Sequence, residues 1–251
     1  MYGIKFFVKC YRDDKIILLF GEEHRKWEQP NFTQYMRKIV CNPDKYELCL
    51  ECKNVSMSTD MSTLSELRYT TVFPNIIGVD LRQGETLRTK DSILKWYKKI
   101  VSILEEHKSI ENYLDFIIGK IKIMHYPNNT PHDVISEEIL FDYQKELPYN
   151  QEKINYYSQM IINERPSWQT FTKNHRAVIS DFLYIIVNYE SLYMDCFTVS
   201  YLLNSIVPVS IFYGGFRHVE NIAPVLKLAG FDIIEYRPNG ILPSYLFEDD
   251  I

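Results

Sequence analysis

The sequence predicts an α/β protein: a central, mostly parallel sheet flanked by helices, with a helical insertion in the middle of the chain. Two strand-length apolar runs carry the expectation, Ile16-Ile17-Leu18-Leu19-Phe20 near the start and Val209-Ser210-Ile211-Phe212-Tyr213 near the end, each closed by glycine. Between them, residues 88–204 are dominated by the apolar spacing of amphipathic helices. No low-complexity linker divides the chain, so residues 1–251 read as a single α/β domain, with the insertion at about 88–150 and a short tail at 238–251.

In chain order, residues 3–10 alternate as a strand and Tyr11-Arg12-Asp13-Asp14 signals a turn. Residues 15–20 follow as a buried strand. Residues 22–39 read as a helix, with Trp27, Phe32, Tyr35 and Met36 at helical spacing and Pro30 complicating its start. Asn42-Pro43-Asp44 breaks the chain before a strand at 46–52. Residues 53–68, polar and rich in Ser, Thr and Met, read as a loop with a short helix. A third buried strand, 74–82, ends in Asp80 and Arg82, as a parallel strand with a site at its carboxyl end would. Thr89 or Asp91 caps a helix over 93–107, and 110–124 continues helically with Ile110, Tyr113, Leu114, Ile117, Ile118 and Ile121 on one side. Then come a loop at 126–131, an amphipathic segment at 133–147 ended by Pro148, a helix over 150–162, and one or two buried helices over 175–204. A strand-turn-helix unit fills 207–229 and stops at Gly230, a natural position for a helix terminator. A strand at 231–236 ends the regular structure.

Composition narrows the function classes. The chain has 251 residues, of which 46% are hydrophobic, enough for a sizeable core. A net charge of −5, with no basic cluster, argues against a nucleic-acid partner. No apolar run is long enough to predict a transmembrane segment, and Lys5 and Lys9 interrupt the N-terminus too early for a secretory signal. Five cysteines, Cys10, Cys41, Cys49, Cys52 and Cys196, show no disulfide framework and point to a reducing, intracellular setting. Cys49 and Cys52 form a lone C-x-x-C whose members face opposite ways on a strand, so they read as structural. The absence of Gly-x-Ser-x-Gly, P-loop, His-Glu-x-x-His and Gly-x-Gly-x-x-Gly patterns argues against serine hydrolases, nucleotide-binding ATPases, zincins and dehydrogenases.

The chemistry points to two similar stretches, Gly21-Glu22-Glu23-His24 and Gly215-Phe216-Arg217-His218, each after a buried strand. Strand, glycine turn and helix N-terminus together make a place where backbone and ligand approach closely. The helix dipole there disfavours imidazolium, so each histidine is expected to be neutral, able to act as a base or a metal ligand. Such sites form beyond the carboxyl ends of parallel strands, where the sequence also puts Glu51 and Asp80. Two histidines with carboxylates can hold a divalent metal, which would lower the pKa of a bound water to about 7. Without metal, His24 could be a general base oriented by Glu22 or Glu51. Arg82 or Arg165 could stabilise an oxyanion or hold a substrate carboxylate or phosphate. Asp195 lies on an apolar stretch and needs a partner if buried, either Arg165 or a metal. His107, His125, His132 and His175 lie in charged or loop segments and read as solvated.

These motifs resemble the superfamily containing erythromycin esterase, the ChaN-like haem-binding proteins and the TraB/Tiki proteins. The paired Gly-x-x-His units, the first with an acid after its glycine, carry the resemblance. Glu51 at a strand end, Asp80-Leu81-Arg82, Glu164-Arg165 opening a helix, and a helical Asp195 also look similar to positions of that family. Residues 88–150 match nothing in it, and the tone of the chain is similar to relatives encoded by large DNA viruses, which implies host cytoplasm or a virion. The resemblance implies a hydrolase of the esterase or peptidase kind acting on a small-molecule or peptide substrate. Its catalytic residues would be Glu22, His24, Glu51, Arg165 and His218, with Arg82 and Tyr213 binding substrate. A divalent metal (Mn, Co or Zn), or less directly a haem, would be held by Glu22, His24, Glu51, Asp80 and His218. The alternatives are a non-catalytic metal- or haem-binding protein, or a retired enzyme fold used as a structural or virion interaction protein. Substrate and oligomeric state are not legible.

Overall fold

The computed structural model describes residues 2–26, 35, 38–39, 41–51, 76–79, 90–124, 126, 151–238, 242–243 and 246, with the backbone alone at 2, 3, 23–26, 90 and 92. Among these are six strands, β1 (Tyr2–Arg12), β2 (Lys15–Lys26), β3 (Tyr46–Leu50), β4 (Ile76–Gly78), β5 (Val209–Gly215) and β6 (Asp232–Arg237). The helices are α1 (Lys90–His107), α2 (Ile110–Lys122), α3 (Gln151–Glu164), α4 (Trp168–Asn204) and α5 (Phe216–Leu228). The fold is therefore mixed α/β. The segments expected at 53–68 and 133–147 lie outside the described residues.

All six strands form one sheet in the order β4-β3-β5-β2-β1-β6. β4, β3, β5 and β2 pair in parallel; β1 pairs antiparallel with β2 and with β6. β1 and β2 form a hairpin closed at Arg12↔Lys15, with Asp13 at a φ of 52°; Asp tolerates that conformation better than most residues. β5 is central and buried in all but its last residue, as a continuous apolar run requires when neither face meets water. By strand alternation, Phe7, Leu18, Phe20, Leu48, Leu50, Ile211 and Tyr213 share one face and form a core cluster with Tyr35, Ile39 and Leu246. Leu19, Cys49 and Phe212 point to the other face, all fully buried.

The chain separates into two compact units. One contains residues 1–81, 124–139 and 194–251, and therefore the sheet; the other contains 82–123 and 140–193, and its regular elements among the described residues are all helices. In the sheet unit, α5 packs on β2 and β1. In the helical unit, Tyr113 and Lys99 both bind the Glu190 carboxylate, the hydroxyl donating at 2.7 Å and the ammonium lying 2.6 Å away. α4 begins at Trp168, earlier than its apolar pattern predicts, and contains a non-helical residue, His175 (φ −136°, ψ 34°). The His175 ring lies against those of Tyr157 and Phe171 in tilted contacts. His107, expected to be solvated, is largely covered and makes tilted ring contacts with Tyr113 and Phe116.

The main departure is at residues 22–26. The sequence reads them as the start of a helix, but β2 continues to Lys26. The reason lies in the partner strand: Ile4 pairs with Glu22 and Gly3 with Glu23, so β1 goes on supplying a ladder after Gly21. Such long-range pairing overrides a local pattern.

Candidate functional site

The second Gly-x-x-His folds as its sequence implies. β5 ends at Gly215 and α5 starts at Phe216, with Gly215 as N-cap and no side-chain cap from its own segment. The cap comes from β3: the Glu51 carboxylate accepts the Gly215 N–H through Oε2, while the Glu51 N–H donates to the Tyr213 carbonyl at 3.0 Å. A Cβ at Gly214 would lie 2.8 Å from Glu51 Oε2 and 2.5 Å from Phe212 Cζ. The two glycines thus make room for a carboxylate at a helix N-terminus, where positive partial charge favours an anion. The anion held there is the protein's own.

His218 lies in the first turn of α5, buried. Its Nδ1 is 2.6 Å from Asp195 Oδ1 on α4, and its Nε2 is 3.3 Å from Glu51 Oε1. Asn221, one turn further along α5, donates to Asp195 Oδ2 at 2.8 Å. Asp195, only 2% exposed, therefore finds its partners in His218 and Asn221 rather than in Arg165. Burial works to lower the His218 pKa. The charge and hydrogen bond of Asp195, with Glu51 behind them, outweigh it and push the pKa up to about 10. This reverses the expectation of a neutral ring: two carboxylates within contact overcome both desolvation and the helix dipole. The result is an imidazolium held between two acids, joining α4, α5 and the end of β3.

Glu22 takes part in a second arrangement. It is buried and accepts a hydrogen bond from the Tyr213 hydroxyl at 2.7 Å. β2 and β5 pair Glu22 with Gly215 and Phe20 with Tyr213, so Glu22 and Tyr213 share the sheet face of the core cluster. Glu51 falls on the opposite face by strand alternation, two positions beyond Cys49. The structure brings together Glu51, His218 and Asp195, and separately Glu22 and Tyr213, at the carboxyl ends of β2, β3 and β5.

The other expected site residues are placed differently. The His24 backbone lies in β2, where the register is irregular between Gly3↔Glu23 and Tyr2↔Lys26; its side chain, and with it the distance between the two histidine rings, lies outside the described residues. Asp80 and Arg82 also lie outside them. Glu164 and Arg165 belong to the helical unit, at the end of α3 rather than the start of a helix. Arg165 is exposed, its closest described acid being Glu105 at 4.0 Å. Among the described residues, no group of three or more His, Cys, Asp or Glu could hold a metal ion. His218 Nε2 and Glu51 alone do not complete such a site. Sequence reasoning missed Asn221; its signal was the spacing of three from His218, which shares a helix face. No described helix is long and apolar enough to cross a membrane.

Comparison of the chain with models of protein families, with curated proteins and with solved structures finds no match.

Proposed function

We propose that this chain is a hydrolase of the esterase or peptidase kind, built like the erythromycin esterase, ChaN-like and TraB/Tiki superfamily. In this reading helices flank the sheet, residues 88–150 are an insertion, and the substrate is a small molecule or peptide. The observation that carries it is His218, fixed at Nδ1 by Asp195 and facing Glu51 through Nε2, at the carboxyl end of a parallel strand. Asp195 fixes the ring's orientation and favours its cation. Glu51 takes a proton from the attacking water, and His218 Nε2 gives one to the leaving alkoxide or amine. Glu51 then returns its proton to His218 across their contact, which restores the starting state. By resemblance, His24 would be the residue that assists the water.

The test is turnover on ester and peptide panels by the parent chain and by His218→Asn, with circular dichroism to check folding. The expected result is hydrolysis by the parent and a loss of about a hundredfold or more in a folded variant. No hydrolysis by the parent on either panel, or an unimpaired variant, would sink the reading. The superfamily resemblance also offers a divalent metal held by His24, Glu22, Glu51, Asp80 and His218. Elemental analysis of the purified protein tests that part, with one equivalent expected if it holds.

A further inference from the structure

The helical unit contains a pocket that the cluster around His218 does not use. Its volume is about 410 Å³, and it lies at the C-terminal ends of α1 and α3. Val101, Leu104, Ile161 and Ile162 give it apolar walls. Tyr97 also lines it, but its hydroxyl is committed to the Pro166 carbonyl at 2.6 Å. Two cationic residues stand at the pocket, Lys108 and Arg165, both exposed.

Their backbones set these two residues apart. Lys108 has a φ of 69° and Arg165 a φ of 46°; among the described residues, Asp13 is the only other non-glycine in that region. Each closes its helix from the position after the end. The Lys108 N–H donates to the Leu104 carbonyl at 2.9 Å, and the Arg165 N–H to the Ile161 carbonyl at 3.2 Å. That position normally belongs to glycine, because a Cβ is strained there. A cation complements a helix C-terminus, but it could do so from the last helical turn without strain. Instead, both helices place a strained residue with a long cationic side chain beside the same apolar cavity. The Lys108 ammonium also caps its own helix, donating to the Glu105 carbonyl at 2.6 Å; two left-handed non-glycine residues at one pocket nonetheless single it out as a candidate site.

We propose that this pocket binds a small amphipathic carboxylate, its apolar body against the Leu104 and Ile161 wall and its head between Lys108 and Arg165. The volume falls within the range of about 300–1,000 Å³ usual for small-molecule sites. The guanidinium fork suits a planar carboxylate. Glu105, 4.0 Å from Arg165 Nη2, is the anion that the ligand's head must displace. This binding is independent of the proposed hydrolysis.

The backbone strain makes the test separable from folding. Arg165→Gly and Lys108→Gly each remove a cation and relieve a left-handed residue, so their thermal midpoints should equal or exceed that of the parent. Calorimetry with octanoate, octyl phosphate and 1-octanol on the full chain supplies the binding. Octanoate should bind at one equivalent, each substitution should weaken it by about tenfold or more, and 1-octanol should bind weakly and alike to all three proteins. Should a glycine variant prove less stable, Arg165→Gln, which keeps the backbone as it is, carries the comparison. No octanoate binding up to millimolar concentration, 1-octanol binding as tightly, or octanoate binding unchanged by the substitutions would overturn the proposal. Tighter binding of octyl phosphate would overturn the choice of a carboxylate head.

Discussion

In the first Gly-x-x-His stretch the chain stays extended from Lys15 to Lys26, whereas in the second it leaves the sheet at Gly215 and turns helical at Phe216. The neighbours account for the difference. β2 is still paired with β1 beyond Gly21, but β5 loses β3, which ends at Leu50. The glycines also serve different ends. A Cβ at Gly21 would lie 2.8 Å from the Phe216 Cα, so this glycine admits the backbone of α5 onto the sheet. Gly214 and Gly215 admit a carboxylate instead. What approaches a glycine decides its role, and two stretches with one spelling can be packed by different things.

The largest expected effect tests the polar half of this comparison. Asp195→Ala leaves His218 buried with half of its counter-charge, and loss of one partner from a buried pair costs about 3–5 kcal/mol. Chemical denaturation would measure it. A cost below about 1 kcal/mol would mean that Asp195 and His218 are not paired in solution.

The pH dependence comes next. The folded pKa of His218 is raised from 6.5 to about 10. Its contribution to stability is therefore complete below about 6.5 and is lost as the pH rises toward 10, by up to roughly 1.4 kcal/mol per pH unit. Denaturation midpoints between pH 6.5 and 10 should fall in the parent, and the part of the slope due to this ring should vanish in His218→Gln. Parallel slopes in the two proteins would contradict the assignment.

The smallest expected effect sharpens the contrast between the glycines. Gly21→Ala presses on the backbone of α5 and should destabilise by about 1–3 kcal/mol, the usual cost of overpacking. Because Gly21 touches neither Glu51 nor Asp195 in the glycine's surroundings, the raised pKa of His218 should survive. Gly214→Ala meets Glu51 directly and should lower that pKa as well. Titration of both variants compares them; equal effects on His218 would erase the distinction.

How much was legible follows the same division. The strand, turn and helix at Val209–Leu228 were readable because an apolar run, two glycines and a helical apolar spacing are all local. The extension of β2 was not, since Glu22 to Lys26 are polar and their pairing depends on residues at the start of the chain. Asp195 announced that it needed a partner, but 23 positions separate it from His218, and a cation such as Arg165 was the natural guess. The protonation of His218 is hidden from the sequence for a related reason. The helix dipole is visible in sequence, while the converging acids from β3 and α4 appear only once the chain is folded. Glu51 was recognised as a strand-end acid without its role as the cap of α5, which no local pattern encodes.

The most direct measurement is the nitrogen-15 NMR titration of the His218 imidazole in the intact chain. The account predicts both ring nitrogens protonated at neutral pH and a midpoint near 10, falling when Asp195 is replaced by Asn. A ring that is neutral at pH 7.5, with a midpoint at or below the free value of about 6.5, would contradict it.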